Sequence, residues 1–161
     1  MLSLSKKTDY ALIALAYLAE RPGRVASARE IAAARNLPAA LLMNILKELH
    51  HLGVVASTRG SQGGYELAID PSSISLHDLI AAMQGPVKLV ECAGEATPCA
   101  HDNVTDADAC RVSGHCAVQA PLQALNDRLV RFLQDVRLSE IILSRSADRI
   151  KLPGAEPYTD R

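Results

Sequence analysis

The chain has no tryptophan, and aromatic residues make up only 3% of its 161 residues. Its core must therefore consist of aliphatic side chains, which favours helices packed on helices and predicts a mainly α fold. No run of eighteen apolar residues occurs, and no charged start is followed by a continuous apolar stretch. We therefore expect a cytoplasmic protein that neither spans a membrane nor is exported.

Motifs of the common enzyme classes are missing as well. The sequence contains no phosphate-binding loop, no metal-water motif and no recognisable pairing of a nucleophile with a base. It also lacks the close Cys-x2-Cys pairs that structural zinc usually requires. We therefore expect a protein that is not an enzyme. What the chain does have is a group of four cysteines, Cys92, Cys99, Cys110 and Cys116, with none elsewhere.

Clustered thiols in a reducing compartment indicate metal ligands or redox-active residues rather than a disulfide framework. The gaps between the four cysteines are six, ten and five residues. A flexible loop with such gaps can fold around an iron-sulfur cluster, because each thiolate has to reach only its own iron. Spacing alone leaves three alternatives open, namely an iron-sulfur cluster, a zinc ion, and free or redox-switching thiols.

Hydrophobic periodicity predicts three helices in the first third of the chain. The first covers residues 5–19. A capping box of Ser27 and Glu30 opens the second, which ends in a tight turn at residues 36–38. The third ends at Gly53. Its predicted buried stripe consists of Leu41, Leu42, Ile45, Leu46, Leu49 and Leu52.

A β-hairpin and two more helices follow. Residues 54–58 and 65–69 are β-prone and flank a glycine-rich tip, and Ser75 caps a short helix over residues 76–83. A long helix is predicted over residues 117–137, with a near-heptad apolar seam that requires a partner. The seam consists of Val118, Leu122, Leu125, Leu129, Phe132, Leu133 and Val136. The tail at residues 146–161 shows no periodicity and is predicted to be disordered.

Helix, turn, helix and hairpin in this order are typical of a DNA reader. The third helix leaves one face free, on which Asn44 can pair with adenine and Lys47 with phosphate or guanine. The hairpin tip offers Arg59, Gly60, Ser61 and Gln62 to the DNA backbone or the minor groove. His50 and His51 flank the end of the third helix, where positive charge suits the helix dipole. The alternative is an ordinary three-helix core with a simple turn at Gly63 and Gly64.

Two motifs extend this interpretation. Residues 4–12, LSKKTDYAL, and residues 57–65, STRGSQGGY, resemble the bacterial iron-sulfur winged-helix transcription regulators, the family that includes IscR and NsrR. The resemblance covers about residues 1–142. It implies a homodimer built on the long C-terminal helix, which binds palindromic promoter DNA. It also places Asn44 on the base-reading helix and residues 59–61 on the wing. Met43 departs from the acidic residue that the iron-sulfur assembly regulators use at this position.

The resemblance also implies a cofactor, an iron-sulfur cluster of the 2Fe-2S or 4Fe-4S type. Members of the family generally use three cysteines and a fourth ligand of another kind. The histidine that some members place three residues after the last cysteine is Gln119 here. The nitric-oxide-sensing branch uses an aspartate from the partner subunit, and Asp9 occupies that place. Two ligand sets therefore compete: all four cysteines, or three cysteines with Asp9 in place of Cys99.

The sequence thus predicts a repressor whose cluster senses iron, redox state or nitric oxide. We expect a winged-helix DNA-binding domain at residues 1–84, a cluster-binding loop at 85–116, a dimerisation helix region at 117–145 and a tail at 146–161. The alternative function is a winged-helix regulator with structural zinc or no metal, which responds to thiol oxidation or a small effector.

Overall fold

A computed structural model describes residues 3–60, 63–90 and 116–143 of the chain. The described parts contain six α-helices, a two-stranded sheet and a 3-10 turn at Pro71–Ser73. In chain order the elements are α1 (Lys6–Ala19), α2 (Ala28–Arg35), α3 (Ala39–His51), β1 (Val55–Thr58), β2 (Gly64–Leu67), α4 (Leu76–Gln84), α5 (Gln119–Asp135) and α6 (Leu138–Ile142). The predicted tail lies outside the described residues.

Serine side chains cap the starts of α1 and α2, and the sequence predicted the second of these caps, at Ser27. The Ser5 side chain accepts from the Thr8 amide, and the Ser27 side chain accepts from the Glu30 amide. The predicted return contact of the Glu30 carboxylate is wrong. That carboxylate instead accepts a 3.0 Å hydrogen bond from the hydroxyl of Tyr17. A residue as buried as Tyr17, at 3% exposure, requires an acceptor for its hydroxyl, and Glu30 provides one across the α1 and α2 contact.

The apolar stripe of α3 is narrower than predicted. Four of its members, Leu42, Ile45, Leu46 and Leu49, are at most 1% exposed, but Leu41 and Leu52 are 39% and 45% exposed. Leu41 is one residue, about 100° of helix rotation, away from buried Leu42. Leu52 lies past the last helical residue, at the C-cap. The chain then turns through Gly53 at φ +73, with the Schellman hydrogen bonds from Gly53 N to His50 O and Val54 N to Leu49 O.

The wing is an antiparallel hairpin in which Val55 pairs with Leu67 and Thr58 with Gly64. Ala26, just before α2, bridges to Tyr65 and pairs with the outer edge of β2. Two glycines are required by this geometry. Gly60 has φ +121, and a side chain on Gly64 would collide with the backbone of Ala26. The glycine-rich motif therefore allows both the tight tip and the close approach of the third segment.

The core is aliphatic and lies between α1, α3 and α4, with α6 closing one side. The sequence predicted no helix at the position of α6. Leu138 and Ile142 are nevertheless 1% and 8% exposed and belong to the main core. Backbone hydrogen bonds from Leu76 N to Val136 O and from Leu138 N to Ile74 O fasten this segment beside the start of α4.

The long helix α5 differs from the others because its buried side chain is polar. Asn126 is 7% exposed, whereas Val118, just before the helix, and Leu125 within it are 55% and 51% exposed. Pro121 lies in the first turn, since α5 begins at Gln119. Helix-turn-helix, hairpin wing and long C-terminal helix follow one another in this order. The predicted winged-helix fold is confirmed. The division into four regions stays a prediction.

Candidate nucleic-acid interface and metal site

The face of α3 opposite the core is open to solvent, as the sequence predicts. It carries Ala39, Ala40, Met43, Asn44 and Lys47. Met43 is 40% exposed, in the middle of this face. A helix with one face buried in the core and the opposite face exposed can enter the major groove of DNA. The individual roles of Asn44 and Lys47 as DNA contacts stay predictions.

The wing brings a cation next to exposed backbone. Arg59 and Gly60 are both exposed at the hairpin tip, and a hydrogen bond from Gly63 N to Gly60 O of 3.0 Å closes the turn. Predicted contacts Ser61 and Gln62 lie outside the described residues. An exposed arginine on a tight, glycine-rich tip can approach a phosphate or a narrow groove.

A side-chain contact at the end of α3 was not predicted from the sequence. The Nδ1 atom of His50 lies 3.0 Å from the carbonyl oxygen of Val55, and its Nε2 atom lies 3.4 Å from the Ser57 hydroxyl. Both partners belong to β1. The sequence signal was limited to a histidine four residues before a β-prone run, which does not determine where the ring points.

The start of α1 is joined to the reading helix and to the end of α4. Lys7 forms a 2.7 Å ion pair with Glu48 of α3. The hydroxyl of Thr8, which is fully buried, donates to Gln84 Oε1 at 2.8 Å, and the Ser5 amide donates to the same oxygen at 2.8 Å. Sequence reasoning missed Gln84 because it is 76 residues from Thr8. The TDY motif thus has a structural role through Thr8, beside any role of Asp9.

Tyr17 and the charges around it fix α2 against α1. Burial, followed by the hydrogen bond to Glu30, raises the pKa of Tyr17 above its usual value. The guanidinium of Arg21 lies 3.9 Å from the centre of the Tyr17 ring. Arg35 reaches back from the end of α2 to Glu20 at 2.7 Å, and this hydrogen bond is the main cause of the lowered pKa of Glu20. The contact holds the first helix of the helix-turn-helix in register.

Among the four cysteines, only Cys116 lies in the described parts of the chain. It is partly buried, forms no disulfide and stands three residues before α5. Cys92, Cys99 and Cys110 lie outside the described residues. Within residues 3–60, 63–90 and 116–143, no three histidine, cysteine, aspartate or glutamate side chains come together to hold a metal ion. The predicted ligand set therefore stays a prediction.

Asp9 is exposed in the first turn of α1. Within the described parts of the chain its carboxylate has no hydrogen-bond or ion-pair partner. This placement suits both alternatives that the sequence left open, a ligand offered to another subunit and a carboxylate at the positive end of the helix dipole. Asp9 and Cys116 thus stand at the starts of two different helices.

The segment that leads toward the cysteines is attached to α5. Beyond Gly85 the chain runs to Leu89, whose amide donates a 2.9 Å hydrogen bond to Asn126 Oδ1. This bond accounts for the burial of a polar asparagine on α5. The residues on either side of the cysteine-bearing segment, Leu89 and Cys116, are therefore both positioned by α5.

The fold and its exposed reading face define the protein as a winged-helix DNA-binding protein. The sequence profile of the Rrf2 family, described as iron-dependent transcriptional regulators, matches residues 4–144. The chain belongs to the Rrf2 family. It is a DNA-binding transcription regulator and not an enzyme. The family resemblance seen in residues 4–12 and 57–65 is thereby confirmed. No helix in the described residues is long and apolar enough to cross a membrane.

The chain is similar to several named transcription regulators. NsrR of Shouchella clausii is 31% identical over 135 residues, which cover 82% of this chain and 88% of that protein. The solved structure of CymR of Bacillus subtilis, the global cysteine regulator, has a TM-score of 0.66 at 26% identity and covers 89% of this chain and 98% of CymR. IscR of T. potens has a TM-score of 0.62 at 22% identity over 91% of this chain and 90% of its own, which supports the fold alone.

Proposed function

We propose that this chain is a homodimeric, cytoplasmic repressor that holds an iron-sulfur cluster and changes its promoter binding with the state of that cluster. The observation that carries the cluster is the unpaired, partly buried thiol of Cys116 directly before α5. Three more thiols precede it within one segment. Thiolates are the usual ligands of iron-sulfur clusters, so this donor set fits the group.

The proposed ligands are Cys92, Cys110 and Cys116, with either Cys99 or Asp9 as the fourth. A bound cluster would supply sensitivity to iron, oxidants or nitric oxide. The chain itself contributes the positions of the ligands. Cys116 is joined to α5, and Leu89 is hydrogen-bonded to the same helix through Asn126. Binding of a cluster by the cysteines would therefore act on α5 through both ends of the cysteine-bearing segment, at Leu89 and at Cys116.

The proposed dimer is supported by α5. Leu125 within the helix and Val118 before it are each more than half exposed, although both belong to the predicted seam. Exposed apolar residues along one side of a long helix are typical of a helix that packs on a second copy. Two copies related by a twofold axis would present two α3 helices to half-sites about 34 Å apart.

DNA binding is proposed to use the free face of α3 and the tip of the wing. Asn44 and Lys47 would contact base edges and phosphate in the major groove, and the wing residues 59–62 would contact the backbone or the minor groove. The state of the cluster would change the relative orientation of the two heads, and a small rotation would cost affinity at both half-sites.

Protein purified without oxygen tests the cofactor. Visible absorption with iron and sulfide assays should show an iron-sulfur cluster, whereas a colourless protein with one zinc per chain would exclude it. For the ligand choice, Cys99→Ala should be compared with Asp9→Ala, with Asp127→Ala on the exposed face of α5 as the matched control. Loss of the cluster in Asp9→Ala but not in Cys99→Ala would exclude the ligand set of four cysteines.

DNA binding is tested separately from the cofactor. Lys47→Ala and Arg59→Ala should each weaken binding to a duplex selected from a random-sequence pool, with unchanged iron content. Arg131→Ala, which removes an exposed cation from the far side of α5, is the control for net charge. Unchanged binding in both test variants would remove this interface from the proposal.

A second candidate function is favoured by the similarity to CymR, described as a global cysteine regulator. In this alternative the chain binds DNA with structural zinc or without metal and responds to thiol oxidation or a small effector. The alternative predicts that metal-free protein binds the selected duplex and loses affinity after mild oxidation. It also predicts that Cys116→Ala is insensitive to the oxidant. These results together would support the alternative over the cluster.

A further inference from the structure

The two edges of the wing have different hydrogen-bond partners among the described residues. The hydrogen bond from Ala68 N to Val54 O places residues 54 and 68 in a hydrogen-bonded pair. Such pairs alternate along an antiparallel ladder, so the carbonyl of Val55 points away from β2. Ala26 takes the outer edge of β2. The outer edge of β1 is met by His50 instead.

The ring of His50 bridges this edge to the reading helix. A carbonyl oxygen can only accept, so the 3.0 Å contact to Val55 requires a hydrogen on Nδ1 of His50. In the neutral ring, Nε2 then accepts from the Ser57 hydroxyl, 3.4 Å away. The first contact has good hydrogen-bond length and the second is at the long limit, so the Val55 contact is the main anchor.

The link between α3 and β1 is short, and core packing holds β1 at Val55, which is 1% exposed, while Ser57 nearer the tip is exposed. The connection between them consists of Leu52, Gly53 and Val54, and Gly53 adopts φ +73. The Schellman hydrogen bonds end the helix at Gly53 and Val54, before β1 begins. His50 contacts β1 at Val55 and two residues further on, at Ser57, and Arg59 at the tip follows two residues later.

We infer that His50 is a positioning residue, which fixes the angle of the wing relative to α3 so that both reach the same DNA duplex. The inference rests on the proposed contact between the wing and DNA. His50 acts through Arg59 and the wing tip and needs no DNA contact of its own. Loss of the ring would leave α3 able to enter the major groove while the wing tip is less well placed.

The test uses the full chain and a duplex selected from a random-sequence pool by the wild-type protein. His50→Ala should weaken binding about three- to tenfold, the range expected for the loss of one or two hydrogen bonds. His50→Asn should recover most of the affinity, because its amide nitrogen can donate to Val55 from nearly the position of Nδ1. His77→Ala, a histidine on α4 away from the wing, should bind like the wild type.

Coupling to Arg59 distinguishes positioning from a general loss of stability. In an Arg59→Ala background, His50→Ala should have little further effect, because the contact that it positions is already gone. Effects that simply multiply would overturn the inference. If Arg59→Ala weakens binding but His50→Ala does not, only the positioning role fails. If Arg59→Ala leaves binding intact, the proposed role of the wing fails as well.

A second measurement does not depend on a folded variant. Nitrogen-15 NMR of the wild-type protein should show the His50 ring with its hydrogen on Nδ1 at neutral pH. This is the tautomer that the Val55 carbonyl requires. A ring that carries its hydrogen on Nε2 instead would overturn the inference.

Discussion

Helices α3 and α5 carry comparable apolar periodicities but use them differently. In α3, four aliphatic side chains are at most 1% exposed, and the opposite face is free. In α5, the one buried side chain among the described residues is Asn126, at 7% exposure, and Leu125 is 51% exposed. The apolar stripe of α3 is buried within one chain. The apolar stripe of α5 is buried only in part, which leaves exposed apolar area that a second chain can cover.

The comparison shows what periodicity can and cannot predict. A heptad or a 3.6-residue pattern indicates that a helix buries one face, but not whether its partner belongs to the same chain. Burial in the folded chain separates the two cases. Substitutions at buried and exposed positions of α3 and α5 test this difference.

The largest effect is expected for Leu46→Ala in α3. Leu46 is fully buried, so truncation removes apolar contacts and leaves a cavity that the helices around it cannot fully close. The free energy of unfolding should fall by about 2–5 kcal/mol. Urea denaturation followed by circular dichroism measures it. A loss below about 1 kcal/mol would mean that the Leu46 side chain is not packed in the core.

Leu125→Glu in α5 should leave the fold intact and disrupt the proposed dimer. A charge at a central apolar contact should weaken association by about 2 kcal/mol or more. Sedimentation velocity across a dilution series measures the dissociation constant. Gln134→Glu adds the same charge on the solvent side of α5 and should remain dimeric. If Leu125→Glu unfolds the chain, the Leu125 side chain is packed within its own chain. That result would contradict the difference between α5 and α3.

Asn126→Leu tests whether α5 needs its polar contact. The change keeps the branched shape of the side chain but leaves the amide of Leu89 without its acceptor. Stability should fall by about 1–2 kcal/mol, within the range for an unpaired buried group. Hydrogen exchange at Leu89 should become faster, while exchange in α3 should follow only the overall stability. An unchanged Leu89 amide would show that this hydrogen bond does not hold the segment to α5.

The smallest effect is expected for Leu41→Ala. Leu41 is next to the buried stripe of α3 but is 39% exposed, so its removal leaves no cavity. The free energy of unfolding should change by no more than about 0.5 kcal/mol. The same denaturation experiment measures this change, which can be compared directly with the loss in Leu46→Ala. Similar losses in the two variants would contradict the narrow stripe seen in the structure.

Local patterns predicted much of the fold. Ser27 and Ser75 each cap a helix where the sequence indicates it, because a capping hydroxyl and the amide that it accepts from are only three residues apart. The glycine-rich hairpin also followed from local chemistry. Glu30 was wrong as the second half of a capping box, since the buried hydroxyl of Tyr17 competes for the same carboxylate.

Long-range contacts could not be predicted in the same way. Thr8 and Gln84, and likewise Leu89 and Asn126, are joined by hydrogen bonds between residues far apart in the chain. The helix α6 was missed because five residues are too few to show a period. For the candidate site, the free face of α3 followed from periodicity, whereas the orientation of the His50 ring depended on where β1 lies after the turn at Gly53.

The attachment of α5 has a mechanical consequence. The helix is held at Asn126 by the Leu89 amide and just past its end by the backbone bonds of Val136 and Leu138. These two attachments are about 15 Å apart along the helix, and the first turn of α5 begins about 10 Å before Asn126. Cys116 lies just before that first turn. A displacement of Cys116 would therefore reach α5 at its N-terminal end, away from both attachments, and would favour a tilt of the helix over a shift along its axis.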